Sequence, residues 1–418
     1  MFPPGRLTNG IRGAGAFINL LNWHSKIKQQ GIMKINKITI VAILAFSGLW
    51  CSGQSEQTAV VEDFMISSTT QDGKQFPKVN SEGRVRVQIS APQAKKVQLD
   101  IGAVKYDLTK DTSGVWTGES APQDEGFHYY QLNIDGASVP DPNSLYFFGA
   151  SRWGSGIEIP AKDQDFYALK NVPHGQVSEV PYFSKTNNTM RRCFIYTPPG
   201  YDKDLQKRYP VLYLQHGGGE NETGWWSQGR AGLIMDNLIA DGKAVPFIIV
   251  MDNGTWTMSR PPAGERPAEW PPKGWADGFA KTLINDIIPM VDANYRTLAD
   301  QKNRAMAGLS MGGMQTRVIT LANPDVFSHV GMFSGGSISM EDVEKAPGFK
   351  EKVKLVFISY GSRELENRRQ GFSGDPKEAT EKLKALGMNT HFYVSPLTAH
   401  EWQSWRRSLY QFAPLLFN

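Results

Sequence analysis

From residue 186 to the C-terminus, short apolar runs recur with helical stretches between them, and this alternation limits the fold more than any other feature. The runs are 193–197, 211–215, 247–251, 305–308, 330–333, 355–360 and 390–394; the helical stretches include 278–294, 311–322 and 376–387. A strand that is apolar along its whole length has no solvated face and must be covered on both sides. Repeated strand–helix–strand order with such strands predicts a mostly parallel sheet between two layers of helices, an α/β domain over 186–418.

The hundred residues before it follow a period of two. Arg84-Val85-Arg86-Val87-Gln88-Ile89 and Lys96-Val97-Gln98-Leu99-Asp100-Ile101 alternate apolar and polar side chains, and Val115-Trp116-Thr117-Gly118 and residues 128–134 continue the series to an Asp135-Gly136 turn. Short strands punctuated by Gly, Pro and Asp predict an immunoglobulin-like β-sandwich over 62–165, with 166–185 as the linker. Trp116 and Tyr130 are either a sugar platform or buried aromatics of that sandwich.

Ahead of both lies a leader, 1–53. Lys34 and Lys37 precede the apolar run 38–46, and 47–53 is a small-residue exit, which is the pattern of a signal peptide over 33–53 and too short for a membrane span. Export to the periplasm or the exterior follows, with an uncleaved anchor as the alternative. Lipid attachment at Cys51 is disfavoured by Trp50, where lipoprotein signals carry a small residue. Met33 suits such a signal better as a start than Met1. The leader also explains the charge. It holds Arg6, Arg12, Lys26, Lys28, Lys34 and Lys37 and no acid, so the net +4 of the chain becomes −2 without it. That leaves no electrostatic case for nucleic acid or another polyanion. Cys51 and Cys193 are the two cysteines, so no disulfide remains once the leader is removed.

One segment carries chemistry. Gly308-Leu309-Ser310-Met311-Gly312 follows the apolar strand at 304–307 and opens the helix at 313–319. A serine on a tight strand-to-helix turn needs small neighbours, and it presents its hydroxyl as a nucleophile. A neutral hydroxyl needs a base. Of the seven histidines, His400 follows the last strand on the loop 396–399 ahead of a C-terminal helix, which is where the order Ser, acid, His puts the base. The acid belongs past the strand at 354–360; Glu364 is the choice, with Glu366 and Asp375 as rivals. For the oxyanion, the Met311 amide is one donor, and His216-Gly217-Gly218-Gly219 supplies the second, assigned to Gly218. There is no H-E-x-x-H motif, and ester chemistry of this kind calls for no metal or organic cofactor.

With these residues in place, the region from about 185 to 418 resembles the esterase D-like α/β-hydrolases of carbohydrate esterase family 1. The likeness rests on Tyr196-Thr197-Pro198-Pro199-Gly200-Tyr201, Tyr209-Pro210-Val211-Leu212-Tyr213-Leu214, 216–222, Ala307-Gly308-Leu309-Ser310-Met311-Gly312-Gly313 and His400-Glu401-Trp402. The closing run 402–410 is similar to feruloyl-esterase-type members that carry a sandwich in front. The sandwich itself resembles the early-set domains of glycogen-branching enzymes and the family 48 carbohydrate-binding modules, on Gly114-Val115-Trp116, 126–130 and Val139-Pro140-Asp141-Pro142. The chain departs from many relatives in placing Glu364 where they carry Asp.

The resemblance implies a secreted serine esterase that releases ferulic or related acids from plant cell-wall arabinoxylan, with acetyl removal from xylan as the runner-up. An acyltransferase using the same triad and a non-catalytic carbohydrate-binding protein are the other classes. Trp225 and Trp226, together with Trp270 and Trp275 of a Pro-rich loop at 255–275, are expected to wall an aromatic cleft.

Overall fold

The computed structural model describes residues 60–255, 273–366 and 374–418. The leader 1–53 lies outside the described residues. At the centre of the C-terminal part is an eight-stranded sheet. Its strands are β1 (Gln176–Ser184), β2 (Thr189–Thr197), β3 (Val211–Gln215), β4 (Ile248–Asp252), β5 (Arg304–Leu309), β6 (His329–Phe333), β7 (Leu355–Gly361) and β8 (Thr390–Ser395). They lie in the order β1-β2-β4-β3-β5-β6-β7-β8, with β1 and β2 antiparallel and β3 to β8 parallel. This is the α/β-hydrolase fold.

Every residue of β3 to β7 is buried, as expected of mainly apolar parallel strands covered on both faces, and the polar ones at their ends, such as Gln215, Asp252 and Arg304, are buried with them. Alternate residues serve opposite faces. Leu212 and Leu214 pack with the helix Ala231–Ala240 and the C-terminal helix Trp402–Phe412, while Val211 and Tyr213 pack with Phe279, Leu283, Val291 and Ile319. The helix expected over 278–294 forms with a fault. It widens to π geometry at Leu283–Ile287, directly ahead of Pro289, whose missing N–H cannot continue the i→i−4 ladder.

Residues 65–159 form the sandwich. One sheet runs Met65–Ile66, Lys78–Val79, Val85–Ser90, Val115–Glu119, Thr109–Lys110; the other runs Tyr146–Gly149, Arg152–Ile159, Gly126–Ile134, Val97–Ile101, Val104–Asp107. Val85, Val87 and Trp116 from the first meet Val97, Leu99, Leu132 and Ile157 from the second. Trp116 donates its indole N–H to the Ala91 carbonyl at 2.9 Å, and Tyr130 donates to Asp141 at 2.8 Å inside the sandwich. Both are therefore core residues, and neither is a sugar platform.

The stretch 166–185 is no free linker. Gln176–Ser184 is the outer strand β1, and its mostly exposed side chains explain why it lacks the apolar signature of the inner strands. Residues 61–418 form one compact unit, because the sandwich is bound tightly to the α/β part. Phe127 of the sandwich joins the core that holds Trp225, Trp402 and Phe412. Beside it Arg406, fully buried, makes two hydrogen bonds to Glu158 at 2.6 and 2.9 Å, stacks over Tyr167 and donates to the Gln228 carbonyl. Burial pushes the Glu158 carboxyl up, and the Arg406 charge and hydrogen bonds outweigh it, so its pKa is lowered.

Removing one partner of such a pair strands a buried charge at a cost of about 3–5 kcal/mol. Glu158→Ala, which leaves Arg406 uncompensated and takes a carboxylate from nearby Arg230, is expected to lower unfolding free energy by that amount. Glu158→Leu combined with Arg406→Met should recover most of the loss in urea titrations.

Candidate active site

Ser310 lies between β5 and the helix Met311–Ala322, which it caps, with φ 49° and ψ −114°, a backbone state that ordinary side chains avoid. The turn is tight enough that a Cβ on Gly308 would lie 2.5 Å from the Gly312 carbonyl carbon. The Ser310 amide donates to the Phe333 carbonyl of β6 at 2.8 Å, which ties the turn to the neighbouring strand.

The structure brings the three expected residues together. His400 Nε2 lies 2.9 Å from Ser310 Oγ, and His400 Nδ1 lies 2.7 Å from Glu364 Oε1. Glu364 sits on a short helix, Ser362–Glu366, directly after β7. Its other oxygen accepts from the Gly361 amide and the Ser334 hydroxyl, both at 2.7 Å. Burial raises the Glu364 carboxyl, but the hydrogen bond and charge of His400, with those two donors, hold it below the usual carboxylate range. An ionised acid there keeps a proton on Nδ1 and leaves Nε2 to accept one from Ser310. The rivals are placed elsewhere. Asp375 caps the helix Pro376–Ala385, accepting from the Lys377 and Glu378 amides, and Glu366 is exposed at the end of its helix.

The histidine loop and the acid turn are fastened to each other. The Arg363 amide donates to the Thr398 carbonyl at 3.0 Å, and the Leu397 amide donates to Ser362 Oγ at 2.9 Å. A Cβ on Gly361 would meet the Thr398 carbonyl oxygen at 2.3 Å, so only glycine permits that approach. Trp405 stands edge-on to the His400 ring at 5.1 Å and donates its indole N–H to Ser334 Oγ at 3.1 Å. Ser334 and Trp405 thus hold the acid and base in place.

Gly218 and Met311 also come together: a Cβ built on Gly218 would lie 3.9 Å from the Met311 Cβ. The loop 216–219 is pinned from beneath. His216 is buried; its Nδ1 lies 2.8 Å from the Gly217 carbonyl, and its Nε2 accepts the Gly254 amide at 3.0 Å. That pair of contacts fits the neutral ring with hydrogen on Nδ1, and burial lowers its pKa in the same sense. Glu220, buried behind the loop, accepts from the Gly217 amide at 3.4 Å and from the Tyr129 hydroxyl at 3.2 Å.

The tryptophans divide. Trp225, expected in the cleft wall, is buried, donates to the Gln215 carbonyl at 2.8 Å and packs edge-on against Trp402 and Phe333. It is a core residue because the turn after β3 folds inward onto the C-terminal helix. Trp226 is 41% exposed and lies over Phe194. Trp275 is half-buried ahead of the helix Asp277–Thr282. Trp270, with most of the loop 255–275, lies outside the described residues.

A sharply turned serine at the carboxyl end of a central parallel strand, within hydrogen-bond reach of a histidine that meets a carboxylate, is the arrangement that the α/β-hydrolase fold uses to present a nucleophile. A family model described as putative esterase matches residues 184–416, and the chain belongs to that family. An endo-1,4-beta-xylanase/feruloyl esterase of Xylanibacter ruminicola is 47% identical over 365 residues, covering 85% of this chain. The chain spans 48% of that relative's length. Endo-1,4-beta-xylanase Y of Acetivibrio thermocellus is 25% identical over 265 residues, covering 55% of this chain and 22% of the relative. Among solved structures, the enterobactin esterase of Shigella flexneri shares the fold at 17% identity and a TM-score of 0.54, over 80% of this chain and 93% of that one.

Burial pushes the Glu220 carboxyl up to about 8, against the opposing hydrogen bonds from Gly217, Tyr129 and Trp402. The native state then holds a proton that an unfolded carboxyl releases near pH 4.5, so this group's contribution to stability falls as pH rises from there to about 8. Glu220→Gln removes that dependence. Its Tm relative to the wild type is expected to rise steadily between pH 5 and about 8 and then level off.

Proposed function

We propose that the chain is an exported serine esterase that releases ferulic and related hydroxycinnamic acids from plant cell-wall arabinoxylan. The observation that carries the chemistry is the continuous relay Ser310–His400–Glu364, with both links at hydrogen-bond distance. The xylan-linked feruloyl substrate is supported by the feruloyl esterase activity in the name of the 47% identical relative. Export is supported by the pattern of residues 33–53.

In this reading Ser310 Oγ attacks the ester carbonyl while His400 Nε2 takes its proton. The tetrahedral oxyanion is met by the Met311 and Gly218 amides, which interact with it more strongly than with the ground-state carbonyl. His400 then gives its proton to the sugar oxygen, which leaves, and Ser310 carries the acyl group. A water, deprotonated by His400, attacks that acyl carbonyl, and the returning proton restores Ser310 as the acid departs. Glu364 stabilises the imidazolium in both halves without taking its proton. Trp226, exposed, remains a candidate wall for the phenolic ring.

Ser310→Ala is expected to abolish turnover of methyl ferulate, and Glu364→Gln to lower kcat by about 10²–10⁴-fold by losing the imidazolium partner. The wild type should show a higher kcat/KM on methyl ferulate than on acetylated xylan; the reverse order would replace the acyl assignment with acetylxylan esterase. Transfer of the acyl group to an added sugar in preference to water would make it an acyltransferase. Xylan binding with no Ser310-dependent hydrolysis would make it a binding protein.

A further inference from the structure

The sandwich reaches into the site at a point that the relay does not use. Tyr129, on its strand Gly126–Ile134, is a hub: its hydroxyl oxygen accepts from Gln228 Nε2 at 2.6 Å and from Trp402 Nε1 at 3.1 Å, and it donates to Glu220 Oε1 at 3.2 Å. The second oxygen of Glu220 receives the Gly217 amide. One residue further along the loop, the Gly219 carbonyl accepts the Ser151 amide at 2.7 Å, from the turn between Tyr146–Gly149 and Arg152–Ile159. Gln228 Nε2 also reaches the Phe148 carbonyl of that hairpin at 2.9 Å. On either side of Gly218, Gly219 is therefore held by the sandwich directly and Gly217 through Glu220.

A glycine-rich loop has little conformational preference of its own. An oxyanion donor must meet the developing charge at about 2.7–3.1 Å, and removing one costs about 10²–10³-fold in kcat. A buried carboxyl between a phenol and a backbone amide is a costly way to pack, and an apolar side chain would fill the space without the penalty.

We propose that Tyr129 and Glu220 are positioning residues of the ester-hydrolysis reaction, through which the sandwich fixes the loop 216–219 and with it the Gly218 donor. The sandwich is thus a structural part of the active site, whatever glycan it meets. This inference rests on the esterase reading above.

The test uses the full chain with 4-nitrophenyl acetate and methyl ferulate as substrates, and Ser310→Ala as the control. Glu220→Ala is expected to lose about tenfold or more in kcat with KM within about twofold, since an oxyanion donor acts in the transition state. Glu220→Gln can still accept the Gly217 N–H through its amide oxygen but loses the bond from Tyr129, whose hydroxyl has the Phe148 carbonyl as its other acceptor, so it should regain part of the kcat that Glu220→Ala loses. Tyr129→Phe should lose kcat in the same way, and Tyr129→Phe with Glu220→Ala should be no worse than the poorer single variant. Unchanged kcat in Glu220→Ala that still melts cooperatively, additive losses in the double variant, or a loss confined to KM would each overturn the proposal. If Glu220→Ala does not fold, the kcat of Tyr129→Phe decides on its own. Turnover that survives in Ser310→Ala strikes instead at the esterase reading.

Discussion

The site depends on the turn at Ser310. Holding a serine at φ 49° costs on the order of 1–3 kcal/mol, and such a state persists only where its surroundings leave no alternative. The sheet provides that constraint. β5 is hydrogen-bonded along its length to β3 on one side and β6 on the other, and the Ser310 amide is itself paired with Phe333 of β6. Because the strands are parallel, the ends of β3, β5, β6 and β7 open on the same edge. That edge carries the loop at 216–219, the serine, Ser334 and the Glu364 turn.

The remaining groups are held by contacts distant in the chain. The acid turn and the histidine loop are joined by one backbone–backbone and one backbone–side-chain hydrogen bond, which hold Glu364 and His400 beside each other. Trp405 and Ser334 lock that pair to β6. On the opposite side of the serine, the sandwich meets the loop after β3 through Tyr129 and Ser151. The buried Arg406–Glu158 pair keeps the two parts in register. A domain that looks detachable in the sequence is joined to the α/β part by a shared apolar core and by the buried Arg406–Glu158 pair.

Much of the site could be read before any coordinates. Ser310 announces itself through strand, small residues and helix; His400 follows from its place after the last strand, and Glu364 from its place after β7. The residues that support them could not be read so. Tyr129 and Trp402 lie 273 positions apart, and no local period records their meeting. Ser334 carries only a positional signal, its place at the carboxyl end of β6. Trp225 reads as a cleft wall from the sequence because aromatic type alone does not separate a wall from a core, whereas the turn that carries it folds inward. β1 reads as linker because an exposed edge strand lacks the apolar run that marks its inner neighbours.

We infer that Ser310 is the nucleophile and that His400 activates it. The decisive measurement treats the enzyme with a fluorophosphonate, digests it and locates the label by mass spectrometry while residual ester hydrolysis is followed. One phosphonyl group per chain is expected, on the peptide containing Ser310, with activity lost in proportion to labelling and little labelling in His400→Ala. Full labelling of Ser310 with hydrolysis intact, or inactivation by a label on another residue, would contradict it.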